Sequence, residues 1–286
     1  MINLAFLGLG AMGAPMANNL LKKGFSLKAW NRSPKNLNLP IVSSLEEAVL
    51  GADIIFSALG DVSDVEEVIL GSNGVIKYAY PGSLVVEMST IGAKAARHVA
   101  SVLNSFGISF IDAPVSGGDI GAINGTLTIM VGGSQENFAR CYPLLEALGQ
   151  KIYLCGPIGS GQAVKLCNQI LVAINMIGVC EAITLAKIQN IDPQLMIEVC
   201  EGGAAASWAL SNLAPKIPVA DYEPGFMIKH ILKDLRLIQD TLSQSDVNLP
   251  GVDLSQNLFN FVAGLDDGSL QGTQALYRAY CQDEIL

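Results

Sequence analysis

The feature that most constrains the fold is the segment "NLAFLGLGAMGAPMANNLLKK", in which an apolar run meets three spaced glycines. Residues 3–7 predict a buried strand, and a helical pattern begins at residue 14. In this setting the first glycine permits a tight turn, the second lets a phosphate approach the backbone, and the third lets helix and strand pack closely. The segment therefore predicts a dinucleotide-binding loop, formed by Gly8, Leu9, Gly10, Ala11, Met12 and Gly13.

The first half of the chain continues this alternation of short apolar runs and helical stretches. The runs are nearly continuous in apolar residues, as expected for strands that are covered on both faces. Alternation of this kind predicts βαβ units on a parallel sheet. The predicted strands are residues 3–7, 27–30, 53–58, 84–87, 109–112, 126–131 and 151–154, and the predicted helices are residues 14–23, 45–50 and 94–106.

The character of the sequence changes after "GPIGSGQ", beyond which strand-like runs largely stop. The predicted helices there are residues 163–189, 194–201, 226–243 and 254–264. The fold class is therefore predicted to be α/β, with a Rossmann-type doubly wound parallel sheet domain, a long linking helix and an all-α C-terminal domain. The predicted boundary separates residues 1–161 from residues 162–286.

Composition limits the function classes. A net charge of −9 over 286 residues argues against nucleic-acid binding. The most apolar stretch, residues 170–188, contains Asn175 and Glu181, so it predicts a buried or interface helix of a homo-oligomer, dimer or tetramer, rather than a membrane span. The six cysteines show no C-x-x-C pair and no metal-like spacing. They predict reduced thiols in a cytoplasmic protein without a metal site.

The tip of the second predicted strand carries Asn31, Arg32 and Ser33, where many NAD-binding folds have an acid that bonds the ribose hydroxyls. A guanidinium at this position can hold a 2′-phosphate, and the neighbouring side chains add amide and hydroxyl donors. This arrangement favours NADP(H). The alternative is that Arg32 lies on the surface without a ligand.

Three later stretches, "IDAPVSGGDIGA", "GPIGSGQAVKLCNQ" and "GFMIKHILKDLRL", follow the glycine loop and the "WNRS" tip. In order and spacing, they resemble the β-hydroxyacid dehydrogenase family over essentially the whole chain. That family includes 3-hydroxyisobutyrate dehydrogenase, tartronate semialdehyde reductase and the glyoxylate/succinic semialdehyde reductases. Arg32 and Phe226 favour the last of these branches.

The resemblance implies a role for each matching residue. The family's catalytic lysine falls on Lys165, and its substrate-positioning amide falls on Asn168, while Gln169 replaces a second Asn found in many members. The other implied substrate contacts are Ser116, Gly117, Gly118, Phe226 and Asp234. The implied cofactor contacts are Thr90, in "MST", and Lys233.

The residues themselves also favour Lys165 as the proton donor. Reduction of a carbonyl needs a proton or a positive charge at the developing alkoxide. Lys165 follows a glycine-rich loop by one helical turn and can project towards a cleft between the predicted domains, with Asn168 on the same face. His98 and His230 follow no loop that could hold a substrate, so they are interpreted as helical surface residues.

The predicted function is therefore NADPH-dependent, reversible reduction of a small aldehyde or keto acid, such as glyoxylate or succinic semialdehyde. Within the family, 3-hydroxyisobutyrate dehydrogenase and tartronate semialdehyde reductase are the alternatives. Outside this activity, a catalytically silent NADP-binding module would not require Lys165 or the Ser-Gly-Gly stretch. A 6-phosphogluconate dehydrogenase would require a longer C-terminal domain and a basic cluster for phosphate.

Overall fold

The computed structural model describes residues 2–243 and 245–281. The chain folds into two compact units, Met1–Lys165 and Leu166–Leu286. The predicted boundary after residue 161 lies a few residues before this division and stays a prediction. The fold class itself is confirmed, because a mainly parallel sheet is followed by a long helix and a helical C-terminal part.

The sheet of the first unit contains eight strands among the described residues. They are β1 (Asn3–Leu7), β2 (Ser26–Trp30), β3 (Ile54–Ser57), β4 (Leu84–Glu87), β5 (Ser109–Asp112), β6 (Val115–Ser116), β7 (Leu127–Gly132) and β8 (Gly149–Gly156). Their order is β2-β1-β3-β4-β5-β7-β6, and β8 pairs with β7. The order reverses between β1 and β3, and the crevice at such a switch point is where open α/β sheets bind ligands.

The first five strands end at the same level of the sheet. The parallel register places Leu7 opposite Trp30 and Ser57, Ser57 opposite Glu87, and Glu87 opposite Asp112. Each strand is therefore followed by a loop that leaves the sheet at one edge. The glycine loop, the Asn31–Ser33 tip, Thr90 and the Ser-Gly-Gly stretch all follow these strands.

The sheet departs from the predicted all-parallel arrangement after β5. The strands β5 and β7 pair antiparallel at Asp112 and Gly132, and the two-residue strand β6 also pairs antiparallel with β7. The physical reason is the short path between β5 and β7. It turns back through β6 and one small helix, which is not the long crossover that a parallel neighbour needs.

Helices cover both faces of the sheet. Along β1, Leu4 and Phe6 pack into one hydrophobic cluster while Ala5 and Leu7 pack into another, which explains why the strand is continuously apolar. Four of the helices in this unit lie outside the predicted ones. The helices are α1 (Gly13–Lys22), α2 (Leu45–Val49), α3 (Val62–Leu70), α4 (Val75–Tyr78), α5 (Gly92–Asn104), α6 (Gly118–Asn124) and α7 (Gln135–Leu145).

The long helix α8 (Ser160–Ile188) begins in the first unit and continues into the second. Among the described residues it is the one helix long and apolar enough to cross a membrane by length and composition, and 44% of its most apolar 18-residue window is buried in the protein. Core helices of soluble proteins pass the same test.

In the second unit, the regular elements among the described residues are helices, apart from one isolated bridge between Met227 and Gly272. Its buried side chains include Ile183, Ile231, Leu235, Phe259 and Leu276, which come from several of its helices. The helices after α8 are α9 (Pro193–Glu201), α10 (Trp208–Asn212), α11 (Ile228–Leu242) and α12 (Pro250–Ala263), with 3-10 turns at Ala214–Lys216, Gly268–Leu270 and Thr273–Tyr280. The prediction missed α10 and the 3-10 turns.

Candidate active site

The three glycines of the loop between β1 and α1 have different surroundings. Gly8 has a φ of +93°, and a Cβ there would overlap the carbonyl oxygen of Ala58 in the loop after β3. A Cβ on Gly13 would overlap the carbonyl of Gly8, whereas a Cβ on Gly10 would meet nothing within 4 Å. Gly10 therefore borders open space at the start of α1, whose N-terminus has no side-chain cap. These are the conditions that a bound pyrophosphate requires.

Asn31 ties this loop to the tip of β2. Its Oδ1 accepts a hydrogen bond from the backbone N–H of Leu9 at 2.7 Å, and its Nδ2 donates to the carbonyl of Ser33 at 2.7 Å. The side chain thus supports the backbone on both sides of the predicted cofactor position. Its proposed direct contact with NADP(H) stays a prediction, as does that of Ser33.

Arg32 lies beside two carboxylates of α3. Its Nη2 is 3.0 Å from Asp64 Oδ1, and its Nη1 is 3.1 Å from Glu67 Oε2. The side chain of Arg32 is 62% exposed, and that of Glu67 is 68% exposed. The guanidinium is therefore held at the surface next to the β2 tip by ion pairs that solvent screens.

Buried polar side chains fix the loop after β4, which carries Thr90. Glu87 Oε1 accepts from the backbone N–H of Ser89 at 2.7 Å, and Ser57 Oγ donates to Glu87 Oε2 at 2.5 Å. Ser89 Oγ in turn accepts from the N–H of Leu59 at 2.7 Å. Glu87 was not among the predicted site residues, although a carboxylate at the end of an otherwise apolar strand is a usable signal.

The Ser-Gly-Gly stretch lies where β6 meets α6. Ser116 is half-buried in β6, opposite Thr128 of β7. Gly118 has a φ of +64°, and a Cβ at this position would meet nothing within 4 Å. The backbone at Gly118 is therefore open to a ligand, while the substrate contact itself stays a prediction.

Asp112, at the end of β5, holds the beginning of α8. Its Oδ1 accepts from the N–H of Gly159 at 2.6 Å, and its Oδ2 accepts from the N–H of Gln162 at 2.8 Å. Burial raises the pKa of this carboxyl group, and the backbone N–H donors oppose that shift. Both carboxylate oxygens are thus used to satisfy backbone donors that the first turn of a helix leaves unpaired.

We expect Asp112→Asn to lower the free energy of unfolding by about 1–3 kcal/mol, because an amide has one acceptor atom and its NH₂ would face a buried N–H. Urea denaturation of both proteins measures the difference. The matched control is Asp192→Asn at the exposed N-cap of α9, where Asp192 accepts from the N–H of Gln194. Because Asn caps helices as well as Asp does, the control should stay close to the wild type. Equal stability of all three proteins would contradict this role of Asp112.

Lys165 lies in the second turn of α8 and is buried, with 7% of its surface exposed. It follows Gln162 by three residues, so the two side chains share one face of the helix. A buried ammonium needs hydrogen-bond or charged partners, and these restrict its position. The position is consistent with the predicted proton donor.

In the second unit, polar contacts connect four side chains in series, three of which are predicted site residues: Asn168, Gln169, Asp234 and Lys233. Gln169 Nε2 donates to Asp234 Oδ2 at 2.5 Å, and Gln169 Oε1 accepts from Asn168 Nδ2 at 2.8 Å. Asp234 Oδ1 lies 3.1 Å from Lys233 Nζ, a separation that fits an ion pair although its geometry is not that of a hydrogen bond. Gln169 therefore orients the amide of Asn168.

The aromatic ring of Phe226 packs near the imidazole of His230, with ring centroids 5.9 Å apart. Both histidines of the chain, His98 and His230, are exposed residues of helices. The proposed contacts of Asp234 and Phe226 with substrate, and that of Lys233 with the cofactor, stay predictions.

Sequence reasoning missed the buried pair Asp112 and Gln162, because the residues that Gln162 binds lie about 70 positions away along the chain.

Two family profiles together span almost the whole chain. The profile described as the NAD binding domain of 6-phosphogluconate dehydrogenase matches residues 3–156. The profile described as NAD-binding of NADP-dependent 3-hydroxyisobutyrate dehydrogenase matches residues 159–280.

Three relatives are similar over nearly their full length. An uncharacterised oxidoreductase of Synechocystis is 49% identical, with 97% of each chain covered. The 2-hydroxy-3-oxopropionate reductase of Escherichia coli is 38% identical, with 97% of each chain covered. The NAD-dependent L-serine dehydrogenase of Pseudomonas aeruginosa is 37% identical, with 92% of each chain covered.

Among solved structures, the 3-hydroxyisobutyrate dehydrogenase of Mycobacterium tuberculosis with L-serine superposes with a TM-score of 0.88. It is 31% identical, and the match covers 98% of this chain and 99% of that one. The similarity therefore extends to sequence, length and fold together.

Proposed function

The chain belongs to the β-hydroxyacid dehydrogenase family, and within that family we propose that it is an NADPH-dependent reductase of small aldehyde acids such as glyoxylate and succinic semialdehyde. Membership makes it an oxidoreductase that uses a nicotinamide dinucleotide and a hydroxyacid substrate. The choice of NADPH and of the aldehyde acid is the proposal. The observation that carries the reductase chemistry is the buried Lys165 on a helix whose first turn is anchored by Asp112.

The proposed chemistry assigns the proton to Lys165. When bound, the reduced nicotinamide supplies a hydride for the carbonyl carbon of the substrate. The carbonyl oxygen then gains negative charge, and the Lys165 ammonium donates a proton to it, which forms the hydroxyl group. In the reverse direction, the neutral amine of Lys165 accepts the hydroxyl proton. Ser116 and the backbone at Gly117 and Gly118 are proposed to hold the substrate carboxylate, with Asn168 one turn after Lys165 contributing its amide.

The preference for NADPH is proposed from Arg32. Its ion pair with Glu67 is exposed, and its pair with Asp64, whose side chain is 29% exposed, is partly exposed. Pairs of this kind at a surface contribute at most about 1 kcal/mol each. Hydrogen bonds from a guanidinium to a phosphate are charge-assisted and each contribute about 1.5–3 kcal/mol. A 2′-phosphate near the β2 tip can therefore draw Arg32 away from one or both carboxylates.

A kinetic panel tests the proposal. Glyoxylate, succinic semialdehyde and tartronate semialdehyde are assayed with NADPH and NADH, and 3-hydroxyisobutyrate and L-serine with NADP⁺ and NAD⁺. We expect the highest kcat/KM with NADPH and one of the first two acids. A maximum with L-serine or 3-hydroxyisobutyrate would move the function to those alternatives, to which relatives at 37% and 31% identity point by their names. Binding of NADPH without turnover of any acid would support a catalytically silent module.

We further propose a cytoplasmic homo-oligomer, a dimer or a tetramer. The exposed large apolar side chains of Leu171, Leu185 and Ile188 on α8 support an interface between subunits. The six cysteines, all within the described residues, are free thiols, which supports a location in the reducing cytoplasm.

A further inference from the structure

Gln162 in the first turn of α8 makes three buried hydrogen bonds to the loop that follows β4 and to the first residue of α5. Its Oε1 accepts from the backbone N–H groups of Ile91 at 2.9 Å and Gly92 at 3.0 Å. Its Nε2 donates to the carbonyl of Ser89 at 2.8 Å. The side chain has no exposed surface. The amide orientation follows from the partners, because two donors face the oxygen and one acceptor faces the nitrogen.

The partners of Gln162 lie on both sides of Thr90. Ser89 precedes Thr90 and Ile91 follows it, so one side chain holds the backbone on either side of the proposed cofactor contact. Gln162 also precedes Lys165 by three residues on one helical face. The Gln162 amide therefore connects the backbone around Thr90, the proposed cofactor contact, to the helix that carries Lys165, the proposed proton donor.

The helix turn that carries Gln162 is itself held from a third direction. Asp112 accepts from the backbone N–H of Gln162 at 2.8 Å and from that of Gly159 at 2.6 Å. On the other side of the loop, Glu87 accepts from the N–H of Ser89 at 2.7 Å. Neither end of the link is free to move independently, since buried groups of β4 and β5 fix both.

A side chain that only stabilises the fold can bond to backbone groups anywhere in the sheet, including groups far from the proposed site. Arg140 of α7 is such a side chain, because it donates to the carbonyls of Gly82 at 2.8 Å and Asp53 at 2.9 Å. Those residues precede β4 and β3, so they lie at the sheet edge opposite the glycine loop. Gln162 makes the same kind of bond at the opposite edge of the sheet, which carries the glycine loop and Thr90.

We propose that Gln162 is a positioning residue that sets the separation and angle between the Thr90 backbone and the Lys165 side chain, and thereby aligns hydride transfer with proton transfer. The proposal rests on the proposed roles of Lys165 and Thr90, but not on the identity of the substrate. Misplacement of a reacting group by about 1 Å can lower a rate about 10²-fold. Gln162 is thus expected to act on kcat and not on cofactor affinity.

The test uses Gln162→Met, which keeps the length of the side chain and removes all three hydrogen bonds. With the acid that the wild type reduces best, we expect kcat to fall about 10²-fold while the Kd for NADPH changes little. We also expect the primary deuterium isotope effect with C4-deuterated NADPH to rise. Partial unfolding lowers the active fraction and leaves that isotope effect unchanged, so the isotope effect separates positioning from stability.

Two further variants complete the test. Gln162→Glu keeps an acceptor for the two N–H groups and loses the bond to Ser89, so kcat should lie between the wild type and Gln162→Met. If Gln162→Met does not fold, the kcat and isotope effect of Gln162→Glu test the positioning role. Arg140→Met should lower Tm while keeping the wild-type kcat and isotope effect. Wild-type kcat and isotope effect in folded Gln162 variants would overturn the positioning role. Absence of turnover in the wild type would instead contradict the proposed function and, with it, this role.

Discussion

Lys165→Ala is expected to lower kcat by about 10²- to 10⁴-fold, the usual contribution of general acid–base catalysis, while NADPH binds with nearly unchanged affinity. The variant removes the proposed proton donor and leaves the glycine loop, Arg32 and the anchors Asp112 and Gln162 in place. The developing alkoxide would then take its proton from water. Steady-state kinetics and fluorescence titration with NADPH measure the two quantities.

Chemical rescue identifies the lost group. If Lys165 donates the proton, added ethylamine should restore part of the activity of Lys165→Ala in proportion to its concentration. The matched control is Lys187→Ala in the last turn of the same helix, where the ammonium lies 4.8 Å from the centre of the Tyr277 ring. This control should keep the wild-type kcat. Full turnover in Lys165→Ala would rule out the assigned role.

Arg32→Asp is expected to reverse the cofactor preference. It removes the guanidinium and leaves three carboxylates together, the new one beside Asp64 and Glu67. The doubly charged 2′-phosphate would then lose charge-assisted bonds and meet repulsion. The loss of about 1.5–3 kcal/mol per bond corresponds to a rise of roughly 10- to 10²-fold in the KM for NADPH. NADH has no such phosphate, so its KM should change much less.

Glu67→Gln is the control for Arg32→Asp, because it is expected to change the KM for NADPH in the opposite direction. Glu67→Gln removes one of the two carboxylates that compete for Arg32 and leaves the guanidinium in place. The KM for NADPH should fall or stay level, and it should not rise. KM values for NADPH and NADH, measured with one substrate, give the ratio for each variant. An unchanged ratio in Arg32→Asp would remove the basis for proposing NADPH.

Much of the fold could be predicted from hydrophobic pattern alone. The strands β1, β4 and β5 begin and end at the predicted residues, because each is a continuous apolar run bounded by polar residues or glycine. The antiparallel pairing of β7 and the two-residue strand β6 could not be predicted in this way. Two residues carry no periodicity, and strand direction depends on the path of the connection.

The residues of the candidate site likewise fall into those that local sequence could predict and those that it could not. The turn at Gly8, Gly10 and Gly13 could be predicted because loop conformation is local, and the φ of Gly8 and the open space at Gly10 fit it, while the cofactor contacts stay predictions. Asp112, Glu87 and Gln162 were missed, because each acts through partners that are adjacent only in the folded sheet. The same holds for the two acids beside Arg32, which come from α3, more than 30 residues further along the chain.

The sequence by itself determined the family, the fold class and the residue types at each proposed position, because strand–loop–helix patterns and their spacing are properties of neighbouring residues. Only the tertiary structure decided which polar groups support those positions. The register of β1 to β5 aligns five strand ends at one edge of the sheet, and that alignment places Asp112 of β5 and the loop after β4 beside Gln162 in the first turn of α8. Buried polar groups must find partners wherever the fold provides them, so their pairing follows from the sheet and not from spacing along the chain.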